Sequence, residues 1–116
     1  NAFMLPSLYA GKMHAILCRS WSTRPKGRDW YDLEWYIKKG IPLDVEHFLK
    51  RASDTGDWKN QTISPDQIKQ LLKDKIAAVS ISNIKEDVIR FIKDDSSLEI
   101  WSPNYFNELV EKLKFD

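Results

Sequence analysis

A single cysteine, Cys18, stands in 116 residues, so no internal disulfide staples this chain, and a reducing compartment, the cytoplasm, is expected. Cys18 falls in an apolar helical segment and reads as a core residue. Glycine is scarce, at four, and no stretch alternates polar and apolar residues with the period of two that a half-buried strand requires. Both features argue against a β-rich fold. No run approaches the ~20 apolar residues of a membrane span, and no signal-peptide pattern is present. The only histidines, His14 and His47, are far apart in sequence and suggest no dedicated metal site. Neither a Gly-rich phosphate loop nor a Ser-nucleophile elbow occurs, which removes two large enzyme classes. No repeat of roughly 20–50 residues supports a solenoid.

What remains is a chain that is 42% hydrophobic and 30% charged, the composition of a folded, water-facing domain. Its length suits one domain with a real core. Asn1-Ala2 reads as an expression remnant, leaving 3–116 as a single helical domain. The net charge of +1 hides an asymmetry. Residues 1–40 hold seven Lys/Arg against three Asp/Glu, and the rest hold eleven against fourteen. Arg19, Arg24, Lys26 and Arg28 follow one another with no intervening acid, which suggests a phosphate-bearing partner for the first half.

Periodicity predicts helices over about 7–19, 28–39, 44–51, 64–79, 83–93 and from Ser102-Pro103 onward. Gly40 and Pro42 close the second. Asp44 caps the third, and Ser64-Pro65-Asp66-Gln67 opens the fourth with a capping box. The loop 52–63 has one apolar anchor, Trp58, and Asp94-Asp95 reads as a solvated turn. Ile84, Val88, Phe91 and Ile92 are expected on the inner face of the fifth helix. The expected fold is all-α, a compact bundle of about six short helices. Four of the five tryptophans read as core. Trp21 lies in the basic loop, where it could stack a base.

The feature that demands a reason is the placement of charge. At about 100° per residue, Asp29, Asp32 and Tyr36 form one stripe, flanked by Trp30, Leu33 and Ile37 on one side and Tyr31 and Trp35 on the other. Glu34 and Lys38 take the opposite side. In the preceding helix, Lys12 and Arg19 share a face with Leu8, Ala15 and Ile16. Charges inside an apolar stripe are costly unless paired or used. Two readings follow. Lys12 or Arg19 pairs with Asp29 or Asp32 and staples two antiparallel helices. Alternatively, the charges line a cleft, where a lysine neutralises phosphates and a carboxylate takes a proton or orients a nucleophile.

The stretch 8–37, LYAGKMHAILCRSWSTRPKGRDWYDLEWYI, resembles the AbiEii/AbiGii toxin family of bacterial nucleotidyltransferases. There a lysine-bearing helix ending in Arg is followed, across a basic loop, by an RDxxDL-type helix. EDVIRFIKD at 86–94 and LEIWSPNYF at 98–106 are similar to the family's C-terminal portion. The resemblance implies a toxin of an abortive-infection or toxin–antitoxin system, with a cognate antitoxin as partner. It implies nucleotide transfer from an NTP with Mg²⁺ to an RNA acceptor such as tRNA. Lys12 matches the third-motif lysine that contacts the triphosphate, and Asp29 and Asp32 match the fourth motif, one of them catalytic and the other orienting. Arg19 and Arg28 become phosphate contacts, and the loop holding Arg24 and Lys26 steers triphosphate or RNA.

The resemblance also implies an upstream α/β domain with a Gly-Ser/Thr turn and a paired-aspartate strand, which would hold most of the Mg²⁺ and NTP. Neither motif occurs in these residues. The expectation is therefore the C-terminal helical half of such an enzyme, inactive alone and binding no cofactor by itself. The alternative is a non-catalytic helical module that binds RNA or a partner protein through its basic first 40 residues.

Overall fold

The computed structural model describes residues 4–18, 26–93 and 95–116. Six α-helices make up the fold: α1 (Leu5–Cys18), α2 (Gly27–Lys38), α3 (Val45–Asp54), α4 (Pro65–Ala78), α5 (Ile81–Val88) and α6 (Pro103–Glu111). The all-α expectation is met. The described strands are two short pieces, β1 (Pro42–Leu43) and β2 (Lys114–Phe115). They pair in parallel, Pro42 with Lys114 and Leu43 with Phe115, and tie the chain's end to the turn after α2.

Helix starts follow local chemistry. Asp44 accepts from the His47 amide ahead of α3. Ser64 and Gln67 exchange reciprocal bonds, at 3.1 and 2.8 Å, ahead of α4. Ser102 accepts from the Tyr105 amide ahead of α6. Each oxygen satisfies an amide left over by the first helical turn. The start of α2 is different, because Lys26 offers no side-chain cap. Instead Asp87 of α5 takes the Gly27 amide at 2.6 Å. Gly27 also lies so close to α5 that a Cβ there would stand 2.5 Å from the Ile84 carbonyl oxygen and 2.9 Å from the Val88 nitrogen.

α1 packs on α2 and α3, α2 on α5, and α4 on α6. Between them lies one core that includes Tyr9, Met13, Ile16, Trp30, Leu33, Phe48, Ile68, Leu72, Ile76, Ile84 and Phe106. Tyr9 stacks on Tyr36 with ring centroids 4.6 Å apart, and Phe106 meets Trp30 edge-on.

Several expectations need correction. α5 stops at Val88 and tightens into a 3-10 turn over Ile89–Phe91, which swings Phe91 off the inner face and leaves it 59% exposed. In α1 the core stripe is Tyr9, Ala10, Met13 and Ile16, so Leu8 is exposed and Lys12 sits at the border of the apolar face. Cys18 is half-buried against the core rather than inside it. Trp35 is exposed, whereas Trp30 and Trp101 are buried. Glu34 does not face solvent. It is 7% exposed and accepts from Trp101 Nε1 at 3.1 Å and from the Tyr105 hydroxyl, with Lys38 Nζ 3.5 Å away.

Candidate active site

α1 and α2 run antiparallel, and Lys12 of one faces Asp29 and Asp32 of the other. Residues three apart share a helix face, so one ammonium reaches both carboxylates. Lys12 Nζ donates to Asp29 Oδ1 at 2.8 Å and lies 3.1 Å from Asp32 Oδ2. The trio grades inward. Side-chain exposure falls from 43% at Asp32 through 26% at Lys12 to 12% at Asp29. The group is thus neither sealed in a dry core nor splayed into solvent.

Burial alone would lower the Lys12 pKa. The hydrogen bonds and charges of Asp29 and Asp32 outweigh that and hold it above the ordinary lysine value. Lys12 therefore remains a fixed cation at neutral pH rather than a proton acceptor. Tyr36, the third member of the α2 stripe, has its pKa raised by burial and then by Asp32, with Lys12 opposing. Its stack on Tyr9 closes one side of the trio.

Asp32 has a second neighbourhood. It lines a cavity of about 290 Å³ together with Arg28, Tyr31, Val88, Phe91 and Ile92. The Arg28 guanidinium lies over the Phe91 ring, 5.4 Å from its centre. The exposure of Phe91 thus acquires a setting: it forms one wall of an open cavity whose other walls supply a cation and a carboxylate. Nothing in the sequence signals this role, because helical periodicity places Phe91 on the inner face. Only the tightening of the backbone after Val88 turns it outward.

Of the seven site residues read from the sequence, Lys12, Asp29 and Asp32 meet directly, and Arg28 joins Asp32 across the cavity. Lys26 is exposed immediately before α2. Arg19 and Arg24 lie outside the described residues, as does Trp21.

A family model described as nucleotidyl transferase AbiEii toxin, Type IV TA system, matches residues 1–112. The chain belongs to this family. No curated protein and no solved structure matches it. The AbiEii match takes in both charged helices, the Arg28–Phe91 cavity and nearly all of the remaining bundle, and so bears out the resemblance read at residues 8–37, 86–94 and 98–106. Among the described residues of this AbiEii-family chain, no helix is long and apolar enough to cross a membrane.

Proposed function

We propose that this chain supplies the helical wall of a nucleotidyltransferase active site in a toxin of a toxin–antitoxin system, acting on an RNA acceptor such as tRNA. The observation that carries the reading is the Lys12 ammonium held between Asp29 and Asp32 at the solvent border of two antiparallel helices, in a chain matched to the AbiEii family over residues 1–112. An ammonium open to water on one side can reach a phosphate, which one sealed in a dry core could not.

The donor set bears on the cofactors. Mg²⁺ favours carboxylates and phosphate oxygens without a competing cation, and Lys12 already stands between these two carboxylates. They do not fit as the metal's principal ligands, so Mg²⁺ belongs on a preceding domain of the same enzyme. The triphosphate fits better. Lys12, Asp29 and Asp32 together carry −1, and Arg28 and Lys26 bring the neighbourhood to +1, with Arg19 and Arg24 adding to it along the chain. In this reading the basic segment around the start of α2 draws the nucleotide in. Lys12 then contributes a positioned charge to the phosphates.

The two aspartates divide their labour. Asp29, nearly sealed, holds Lys12 in place. Asp32, exposed and lining the cavity, faces the acceptor and accepts or orients its hydroxyl proton. A cognate antitoxin, as expected for such a toxin, neutralises the protein in the cell.

The test joins this chain to its preceding nucleotidyltransferase domain and measures transfer of labelled nucleotide from each NTP to RNA. Lys12→Ala and Asp32→Asn are expected to cut transfer by about 100-fold or more while leaving RNA binding in place. Unchanged transfer in Lys12→Ala refutes the role given to the lysine. RNA binding with no transfer under any NTP favours the non-catalytic module instead.

A further inference from the structure

On α1, away from Lys12, the fold assembles a second group of polar side chains that the nucleotidyltransferase reading does not use. His14 and Cys18 are one helical turn apart, and side chains four residues apart on a helix lie above one another. The turn after α3 brings Asp57 against them. Gly56, at φ +76°, reverses the backbone, and the amides of Asp57 and Trp58 both close on the Ala52 carbonyl, at 2.9 and 3.1 Å. The carboxylate is thereby pointed back toward α1. One ligand atom from each of His14, Cys18 and Asp57 lies within 4.8 Å of the other two, and His14 Nε2 is 3.9 Å from Asp57 Oδ2.

We propose that His14, Cys18 and Asp57 form a Zn²⁺ site that clips the C-terminal end of α1 to the turn after α3. The ligand chemistry selects the metal: an imidazole, a thiolate and a carboxylate form a mixed nitrogen, sulfur and oxygen set that suits zinc and not the oxygen-seeking Mg²⁺ or Ca²⁺. Tetrahedral zinc with bonds of about 2.0–2.3 Å sets its ligand atoms roughly 3.3–3.8 Å apart. The cluster therefore closes by small side-chain rotations, with water in the fourth position.

Thr55 supports the arrangement. Its hydroxyl hydrogen-bonds the Asp57 carboxylate and lies 3.2 Å from His14 Nε2, and it fixes the carboxylate when the imidazole turns to the metal. The charges balance. Zn²⁺ displaces the thiol proton and meets two anions, so the occupied site is neutral, one charge more positive than the metal-free site, beside Arg51 and Lys75, whose charges act on His14 and Cys18. Burial, followed by the Asp57 charge, pushes the metal-free thiol's pKa up to about 11, so it is no ready nucleophile, and a metal must displace its proton to bind. The spacing of four between His14 and Cys18 was legible in the sequence, although the reading from the two histidines expected no dedicated metal site and passed over it. Asp57 was not, because 39 residues separate it from Cys18 in the chain.

The test uses Co²⁺ as a spectroscopic stand-in for Zn²⁺ on the 116-residue chain. The expected result is a thiolate-to-cobalt charge-transfer band saturating at one metal per chain, with Zn²⁺ displacing the cobalt and binding with a Kd on the order of 1 µM. Cys18→Ser abolishes the band. His14→Ala and Asp57→Asn, the latter a surface change that leaves the fold intact, weaken binding by about tenfold to 100-fold. Absence of the band at millimolar cobalt overturns the proposal. So does a band that survives at full affinity in both His14→Ala and Asp57→Asn, since that is the behaviour of a lone cysteine. None of these readouts depends on nucleotide transfer, so failure here leaves the proposed activity untouched, and the converse also holds.

Discussion

Replacing Lys12 by Met keeps the stem that covers apolar surface and removes only the charge, leaving Asp29 and Asp32 facing each other. Breaking a fully buried pair costs about 3–5 kcal/mol, and breaking an exposed one costs about 0.2–1 kcal/mol. The trio lies between these limits, so Lys12→Met is expected to cost about 2 kcal/mol. The gradient of burial divides that figure. Asp29, at 12% exposure, has lost most of its water and is expected to couple to Lys12 by about 1–2 kcal/mol. Asp32, at 43%, keeps much of its water, and its coupling should be about 0.5 kcal/mol.

The measurement is a pair of double-mutant cycles, Lys12→Met with Asp29→Asn and with Asp32→Asn, read from urea midpoints at constant slope. At roughly 0.5 M salt the Asp32 coupling should vanish and most of the Asp29 coupling should survive, because screening acts on the exposed pair. Equal couplings at every salt concentration would refute the inward gradient on which the division of labour between the two aspartates rests. In the joined enzyme, the Lys12→Met, Asp29→Asn double variant should recover stability relative to Lys12→Met and recover no transfer.

Glu34→Ala leaves the buried Trp101 Nε1 and the Tyr105 hydroxyl without their acceptor and should cost about 3 kcal/mol. Glu34→Gln keeps an acceptor and should cost about 1 kcal/mol; equal urea midpoints for the two variants would contradict this. Gly27→Ala would favour a helix by propensity, by about 1 kcal/mol, yet its Cβ would meet α5 backbone at 2.5 Å. Backbone cannot swing aside as a side chain can, so a net loss of about 2–3 kcal/mol is expected, measured as a fall in Tm of about 6–12 °C. The pH dependence follows from groups whose pKa is raised: Cys18 and the hydroxyls of Tyr9, Tyr36 and Tyr105 by burial first, and Lys12 by its two carboxylates against burial. Each holds its proton more tightly folded than unfolded, so its contribution is complete below the unfolded value and declines as pH rises through the folded one. Urea midpoints, with metal excluded, should be level from about pH 7 to 8.5 and fall clearly by about pH 10.5; a level profile throughout would refute the assignment.

The parts of this fold written in the sequence are those whose partners lie within one helical turn. Ser64 and Gln67, Asp44 and His47, and Ser102 and Tyr105 all meet across three residues, and each helix begins where that chemistry places it. The Asp29–Asp32 stripe was legible for the same reason, and its pairing with Lys12 followed from two adjoining helices folding back on each other. What stayed hidden is non-local. Glu34 is separated by 67 and 71 residues from the donors that justify burying it, so helical angle alone assigns it to solvent. Gly27 reads as a loop breaker, yet its reason for being glycine is α5, and the Asp87 that caps α2 lies 60 residues on. Phe91 was misplaced because periodicity assumes that an α-helix continues, and this one tightens after Val88.

These hidden contacts explain why the charged trio holds its geometry. α2 is fixed at three points on two opposite sides: the Gly27 backbone against α5 and, two turns along the same side, Glu34 against Trp101 and the start of α6, with Asp29 and Asp32 against α1 opposite them. A helix held by one salt bridge would roll to hydrate it, since desolvation offsets much of the attraction. α2 has no such freedom. Rolling would pull Glu34 away from two donors and drive the first turn of the helix into α5. The cost of keeping Asp29 nearly dry is therefore offset by contacts elsewhere along the same helix, and Lys12 is presented in one place. Such fixed charge is what electrostatic stabilisation of a transferring phosphate requires, because it needs no reorganisation at the moment of reaction.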